Sequence, residues 1–510
     1  MHVSLAVESI GQLLKLLELK TSMLGSFVLL CLGICLLFFI LKIKRPENFP
    51  PGPQLIPIIG NLLHLSVENP LENLEKLAKR YGNVFSIYIG GRPAVILNGV
   101  EAMKEALVTK ALDFAGRPQD LMVNHSLQGR SFILSDYGPH WKEQRRFALM
   151  TLRNFGMGKQ SMEQRILEEL SHVIAFLEKS VGKTMDPQTM FHKSAFNVIF
   201  LVLFGSRYDY DDKFLKDFIN LFTENARIAN GPWSMLYDSL PIARHLPLPF
   251  KKAFKNVKTA VQMAANLVTE HQNTRSPGKP RDLTDCYLDE IEKRGKDGSS
   301  FEEAQLIYFV MDLQFAGTDT TSNTMLTAFL YLMTHPEIQE KCQQEIDKVL
   351  GGKEHATFED RNMMPYTQAV IHESQRIAST VPLSVFHSTT KNTELMGYSI
   401  PKGTLIIPNL DSVLHEEGQW KFPHEFNPLN FLNDQGEFEK PEAFMPFSAG
   451  PRMCLGEGLA RMQLFLILVT LLRRFKFVWP EDAGEPDYAP LFGVTLSPKP
   501  YKMFVMLRQN

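Results

Sequence analysis

Cys454 stands in Phe447-Ser448-Ala449-Gly450-Pro451-Arg452-Met453-Cys454-Leu455-Gly456, directly ahead of an amphipathic helical run from Leu459 to Phe475. Gly450 and Gly456 allow backbone angles that other residues avoid, so the chain can curl tightly around a sulfur. The helix that follows aims its N-terminal N–H groups and positive dipole end back at that sulfur, which favours the thiolate. A thiolate held this way is a nucleophile or a metal ligand. The competing reading is a buried structural cysteine, the usual state of a free Cys.

A second constellation sits inside a long helical pattern, Phe301 to Met333, which His335-Pro336 closes. At 1.5 Å per residue such a helix is about 50 Å long and crosses a whole domain. In its middle lies Ala316-Gly317-Thr318-Asp319-Thr320-Thr321, poor helix-forming material that predicts a local break or widening. Small Ala316 and Gly317 would let a flat ligand approach the backbone, while Asp319 and Thr320 could relay protons to a bound oxygen. An ordinary kinked core helix, its threonines bonding back to carbonyls, fits the same residues equally well.

Two further pairs have helical spacing. Glu373 and Arg376 lie three apart on one face, which alone reads as a surface ion pair of little energetic weight. Trp141 and Arg145 lie four apart and could grip one anionic group together.

In order and spacing, these motifs resemble those of the cytochrome P-450 superfamily, particularly the vertebrate drug- and fatty-acid-metabolising branch. The resemblance implies a mainly α fold with small β-sheets and a single large haem domain. It implies haem b held by the Cys454 thiolate as axial iron ligand, a ligation that favours O–O cleavage. Asp319 and Thr320 become the acid–alcohol pair delivering protons to dioxygen, so that one oxygen leaves as water. Arg117, Trp141, Arg145, His387, Ser448 and Arg452 become haem-binding residues, with Ala316 and Gly317 against the haem face. Asp312, Phe315, Val381, Val385, Phe492 and Val494 fall in substrate-lining segments, although a carboxylate such as Asp312 more often caps a neighbouring loop. Glu373 and Arg376 take a fold-supporting role, tied to a meander at Phe426 to Phe431. Asn430 stands there where relatives usually carry Arg or His. Pro451 stands where many relatives carry Lys or Arg, which removes a positive charge from the face an electron donor would approach.

The implied reaction is insertion of one atom of O2 into a small lipophilic xenobiotic, fatty acid or steroid. Electrons would come from NADPH through a separate membrane reductase, with cytochrome b5 as a second donor. No Gly-x-Gly-x-x-Gly loop is present for binding NADPH directly. Lys142 and Arg146 read either as a docking patch for an acidic redox partner or as a plain solvated face. Two other functions are open: a thiolate-haem isomerase or dehydratase acting on a peroxide, and a membrane haem-binding sensor without turnover. Asp319-Thr320 argues against both, because neither needs proton delivery.

The elements that must hold these residues follow from the rest of the chain. With 510 residues, 44% of them hydrophobic, the core can enclose a cofactor without disulfides. Cys31, Cys35, Cys286, Cys342 and Cys454 form no Cys-x-x-Cys pair, which excludes a zinc ribbon or redox dithiol and fits a reducing compartment. The formal charge of −2 and the lack of a basic tail exclude nucleic acid as a partner. Val84 to Ile89, Gly90-Gly91 and Ala94 to Leu97 read as a hairpin, and beyond Trp141 the chain turns mostly helical.

Leu24 to Leu41 is an uncharged apolar stretch of about 27 Å as a helix, enough to span a bilayer core. It is longer than a signal-peptide core and is followed by Phe49-Pro50-Pro51-Gly52-Pro53 rather than a small-residue cleavage site. The expected organisation is a luminal tail and single transmembrane anchor in 1–45 (span 24–41), a proline-rich hinge in 46–54, and a haem-thiolate catalytic domain in 55–510. The expected location is the endoplasmic reticulum membrane, in contact with lipid, with the catalytic domain on the cytosolic face.

Overall fold

The structure is a computed structural model that describes residues 25–31, 33–34, 45–56, 59–66, 69–154, 160–295 and 298–508. Seven helices position the site: α1 (Pro139–Asn154), α2 (Pro187–Phe204), α3 (Lys213–Ala229), α4 (Phe250–Thr274), α5 (Glu303–Thr334), α6 (Pro365–Ala378) and α7 (Glu457–Arg474). The strands are β1 (Val84–Ile89), β2 (Arg92–Leu97), β3 (Thr184–Met185), β4 (His387–Ser388), β5 (Thr393–Leu395), β6 (Tyr398–Ile400), β7 (Leu405–Pro408), β8 (Phe475–Val478) and β9 (Met503–Leu507). They form three small sheets, ordered β1-β2-β7-β4, β3-β9-β8 and β5-β6. A mainly α architecture with small sheets is the expected class. The predicted hairpin is β1–β2, antiparallel from Val84↔Leu97 to Ile89↔Arg92, with Gly90 in the left-handed region at the turn.

Helix α2 is started by Asp186, whose side chain accepts from Gln188 N, with Pro187 in the first turn. It ends at left-handed Gly205. Its residues from Ser194 to Phe204 are all buried, so it is a core helix rather than an amphipathic surface one. It packs on α5, where a side chain at Gly317 would overlap Ile199. Gln314 Nε2 donates to the Phe196 carbonyl across the same seam at 3.1 Å.

Helix α5 corrects an expectation. It is continuous through Ala316–Thr321, without a break. Its hydroxyls bond back one turn: Thr318 to Gln314 O (2.7 Å), Thr320 to Ala316 O (2.6 Å) and Thr324 to Thr320 O (2.8 Å). These bonds satisfy the hydroxyls without opening the helix, which packs closely on α2.

Half of the apolar stretch 24–41 lies outside the described residues; Phe27, Leu29, Leu30 and Ile34 within it are exposed. No helix among the described residues is long and apolar enough to cross a membrane. The proline segment that follows is fastened to the sheet. Ser86 N donates to Pro51 O (2.6 Å), Ser86 Oγ donates to Pro50 O (2.7 Å), and Arg45 reaches the Gly52 and Pro53 carbonyls.

Candidate haem-thiolate site

The cysteine loop curls before α7 as its sequence implies. Cys454 N donates to Phe447 O at 2.9 Å and Met453 N to Gly450 O at 3.1 Å. Gly450 has φ +71°, and a side chain there would overlap the Leu107 carbonyl. Gly456 differs from the expectation: its φ is −90° and open space surrounds it, so no left-handed turn requires a glycine. Arg461 of α7 holds the loop from behind. It pairs with Glu457 at 2.7 Å, lies 5.5 Å from the Phe447 ring, and donates to His372 Nε2 at 2.9 Å. Burial pushes His372 down to about 3, so the ring is neutral and can accept.

The Cys454 residue is exposed at the loop surface, while the surrounding protein still dehydrates its sulfur. That dehydration raises the thiol above its usual range, and Glu457 adds to it. The Gly456 and Glu457 backbone N–H groups and Arg145 pull the other way. The helix terminus thus acts on the sulfur as predicted, against the opposing effect of dehydration. A metal ion bound there would deprotonate its thiol ligand.

Three guanidiniums gather beside the loop. Arg117 is buried; its Nε reaches Ile133 O (3.3 Å) and its Nη1 reaches Val385 O and Phe386 O (2.7 and 2.8 Å). Arg145 Nη2 donates to Met453 O at 2.7 Å. Arg452 donates to Ala115 O and Ser135 O, both at 2.9 Å. Burial, then the neighbouring Arg452 and Arg145, hold Arg117 well below the usual guanidinium range. Burial likewise brings Arg452 down to about 10, with Asp136 opposing and Arg145 contributing. Arg452 Nη1 and Ser448 Oγ are buried without partners among the described residues. Buried cations that repel one another, beside orphaned donors, are complementary to an anionic ligand. The carboxylates of a haem fit, with Cys454 as the sulfur donor to iron. Trp141 lies beneath the cations, 4.0 Å from Arg452 and 5.5 Å from Arg145. His387 is buried and donates from Nδ1 to Phe114 O at 2.7 Å. Burial and Arg117 keep it well below its usual range, so in this state it adds no positive charge.

On α5, Asp319 receives the Thr495 hydroxyl and Asn323 Nδ2 (3.3 Å) at one carboxylate oxygen, and faces His192 Nε2 at 3.5 Å with the other. Thr320 is one residue on, and the two side chains share no hydrogen bond. Gly317 corrects the sequence reading: its missing side chain admits Ile199 of α2, so it serves helix packing rather than ligand approach.

The segments expected to line a substrate are laced together. Thr324 and Thr380 hydroxyls meet at 2.9 Å, Leu496 N donates to Thr380 O at 2.8 Å, and Val494 N donates to Asn230 Oδ1 at 2.5 Å. These bonds join α5, the Val381–Val385 segment, the Phe492–Val494 loop and the end of α3. Phe315 stacks on Phe222 of α3 at 5.4 Å. Val494 is exposed. Asp312, which falls in a substrate-lining segment, takes the loop-capping role that its carboxylate favours. It is buried and accepts from Ser131 Oγ (2.9 Å) and Ile133 N (3.2 Å), so it caps the loop after Arg117. Sequence reasoning missed His192, Phe222, Asn230 and Thr495, which come from remote elements. Asn323 alone carried a signal, four residues after Asp319 on the same helix face.

Glu373 and Arg376 are fully buried on α6 and paired at 2.7 and 2.8 Å. Arg376 also donates to the carbonyls of Leu414, Phe422, Pro423 and Glu425. Asn430 Nδ2 reaches both Glu373 oxygens, at 3.1 and 3.2 Å, so the shorter uncharged side chain still closes the meander.

Comparison with known proteins places these features in one family. The family model Cytochrome P450 matches residues 50–505. The chain is similar to Cytochrome P450 2D3 of Rattus norvegicus, 44% identical over 467 residues covering 91% of this chain and 93% of that protein. It is also similar to Cytochrome P450 2F2 of Mus musculus, 42% identical over 464 residues (90% and 94%). A third relative is Cytochrome P450 2C3 of Oryctolagus cuniculus, 42% identical over 470 residues (91% and 96%). A match of this extent shows that the chain belongs to the cytochrome P450 family of haem-thiolate monooxygenases.

Proposed function

We propose that the protein inserts one atom of O2 into small lipophilic substrates of the xenobiotic, fatty-acid or steroid classes, using NADPH electrons relayed by a separate reductase. The observation that carries this reading is Asp319 on α5, held by Thr495 and Asn323 one residue before Thr320. A monooxygenase must move protons to oxygen, whereas a peroxide isomerase need not. The haem, when bound, supplies oxygen activation and electron transfer. Cys454 would supply the sulfur ligand to its iron, and Arg117, Arg145, Arg452 and Trp141 would hold its carboxylates. Asp319 and Thr320 would together deliver protons to oxygen. Phe315, Phe222 and Phe492 provide aromatic surface for an apolar substrate, and Val381, Val385 and Val494 add aliphatic surface.

The features of the α1 side support it as the docking face for the electron donor. Lys142 and Arg146 are exposed there beside exposed Leu149 and Met150, and Arg145 of the same helix touches the cysteine loop. Glu143, the carboxylate on this helix, is tied inward to Arg294 and Ser300, which leaves the outer face basic. An acidic reductase domain, or cytochrome b5, suits such a face. The stretch 24–41 is proposed as the anchor in the endoplasmic reticulum membrane and 46–54 as the hinge. The catalytic domain, 55–510, then faces the cytosol.

Reconstitution of the holoenzyme with reductase and a mixed panel of fatty acids, steroids and drugs tests the reading. Hydroxylated product with Thr320→Ala wasting electrons as peroxide supports it. Equal product per NADPH in Thr320→Ala and wild type contradicts it.

A further inference from the structure

Helix α2 carries a titratable side chain that faces the acid of the relay. His192 Nδ1 lies 2.9 Å from the Gln188 carbonyl, which can only accept, so Nδ1 carries a hydrogen. The other ring nitrogen, Nε2, lies 3.5 Å from Asp319 Oδ1. Asp319 Oδ2 is already satisfied by two donors, the Thr495 hydroxyl and Asn323 Nδ2. Oδ1 is therefore the oxygen free to exchange a proton, and among the described residues His192 is its side-chain neighbour.

Were both groups deprotonated, a ring lone pair would face a carboxylate oxygen. A single proton between Nε2 and Oδ1 removes that repulsion. Closing the gap to hydrogen-bond length takes a shift of roughly 0.5 Å. The side chains are 15% and 29% exposed, so the ring has access to solvent while one edge addresses the acid. The approach of the two helices makes this possible, since Gly317 lets Ile199, two turns beyond His192 on α2, seat directly against α5.

We propose that His192 is a positioning and proton-supplying residue that reloads Asp319, a role resting on the reading of Asp319 and Thr320 as the proton-delivering pair. The Nε2–H bond breaks as the Asp319 Oδ1–H bond forms. Asp319 then gives that proton toward the oxygen that leaves as water. Nε2 takes its replacement from solvent, and the Nδ1–H bond to Gln188 is never broken. Each turnover takes up two protons from solvent and two electrons from the redox partner. One oxygen atom enters the substrate and one leaves in water.

The test uses the full-chain holoenzyme reconstituted with reductase and a substrate it turns over. His192→Ala, His192→Gln, His192→Lys and Thr320→Ala are first shown to hold thiolate-ligated haem. Glutamine preserves a hydrogen-bond donor but cannot pass a proton onward; lysine can. The expected result is that the Ala and Gln variants lose product per NADPH by about threefold or more, with the balance as hydrogen peroxide, at unchanged KM. His192→Lys recovers at least half of the loss. Nitrogen-15 NMR of histidine-labelled carbonmonoxy protein gives a readout independent of turnover. The Nε2 signal that disappears in His192→Gln is expected to shift in Asp319→Asn. Wild-type coupling in His192→Gln, or an Nε2 signal indifferent to Asp319→Asn, overturns the proposal. If Thr320→Ala uncouples while the His192 variants do not, only the His192 role fails. If Thr320→Ala is itself fully coupled, the underlying reading fails with it.

Discussion

The Arg452 guanidinium lies 4.0 Å over the Trp141 ring, and the same ring carries Arg145 at 5.5 Å. One indole thus props two cations that no carboxylate among the described residues pairs directly. Each such contact is worth about 0.5–2 kcal/mol, so Trp141→Leu should loosen both grips on the haem carboxylates together. The expected outcome is about tenfold faster haem loss to a scavenging protein, with Trp141→Phe in between.

The two glycines of the cysteine loop should respond oppositely to alanine. Gly450→Ala forces a side chain into the Leu107 carbonyl at a left-handed backbone position. It should cost more than about 3 kcal/mol and yield protein with little haem. Gly456→Ala enters open space and should change the melting temperature and haem content hardly at all. Haem-to-protein ratios of the two variants check the contrast.

Arg376→Lys keeps the charge but loses the fork that reaches Glu373 and four meander carbonyls. In a fully buried pair this should destabilise by roughly 3–5 kcal/mol, read as a large fall in melting temperature or in recovery of folded protein. Asn430→Ala removes one donor to Glu373 and should cost less, roughly 1–3 kcal/mol.

Asp312 predicts a pH dependence. Burial raises its folded carboxyl to about 7 against the hydrogen bonds from Ile133 and Ser131. The unfolded side chain titrates near ~3.9, so between these values the native state binds the extra proton. Stability from this group is complete below the lower value and is lost as pH rises through the upper one. Wild type should therefore melt lower at pH 8 than at pH 5 by more than Asp312→Asn does. Between these two pH values the difference is at most about 3 kcal/mol. Thermal melts of both proteins at the two pH values measure it.

Much of the site was legible because it is local. The cysteine loop, the Trp141–Arg145 spacing and the Glu373–Arg376 pair each lie within one turn or one helix, where period alone fixes which side chains meet. The failures have a common physical origin. The Ala316–Thr321 run looks like a helix break only while its hydroxyls are considered without the carbonyls one turn back. Gly317 looks like a ligand platform only while Ile199 is unknown. For Asp312 the loop-capping role was readable from its chemistry, but its partner Ser131 was not, since it comes from a remote segment. His192 and Thr495 lie far along the chain from Asp319, and no periodicity links them. The helix terminus acts on the Cys454 sulfur as its sequence implies, but the opposing dehydration by the packed loop was not legible there.

Sulfur ligation of the haem iron by Cys454 is the claim on which the rest depends. The absorption spectrum of the reduced, carbon-monoxide-bound protein reads it directly. The account predicts the long-wavelength Soret band of a thiolate-ligated haem in wild type, replaced in Cys454→His by the shorter-wavelength band of an imidazole-ligated haem. An imidazole-type band in freshly purified wild type, or a thiolate-type band surviving in Cys454→His, would contradict it.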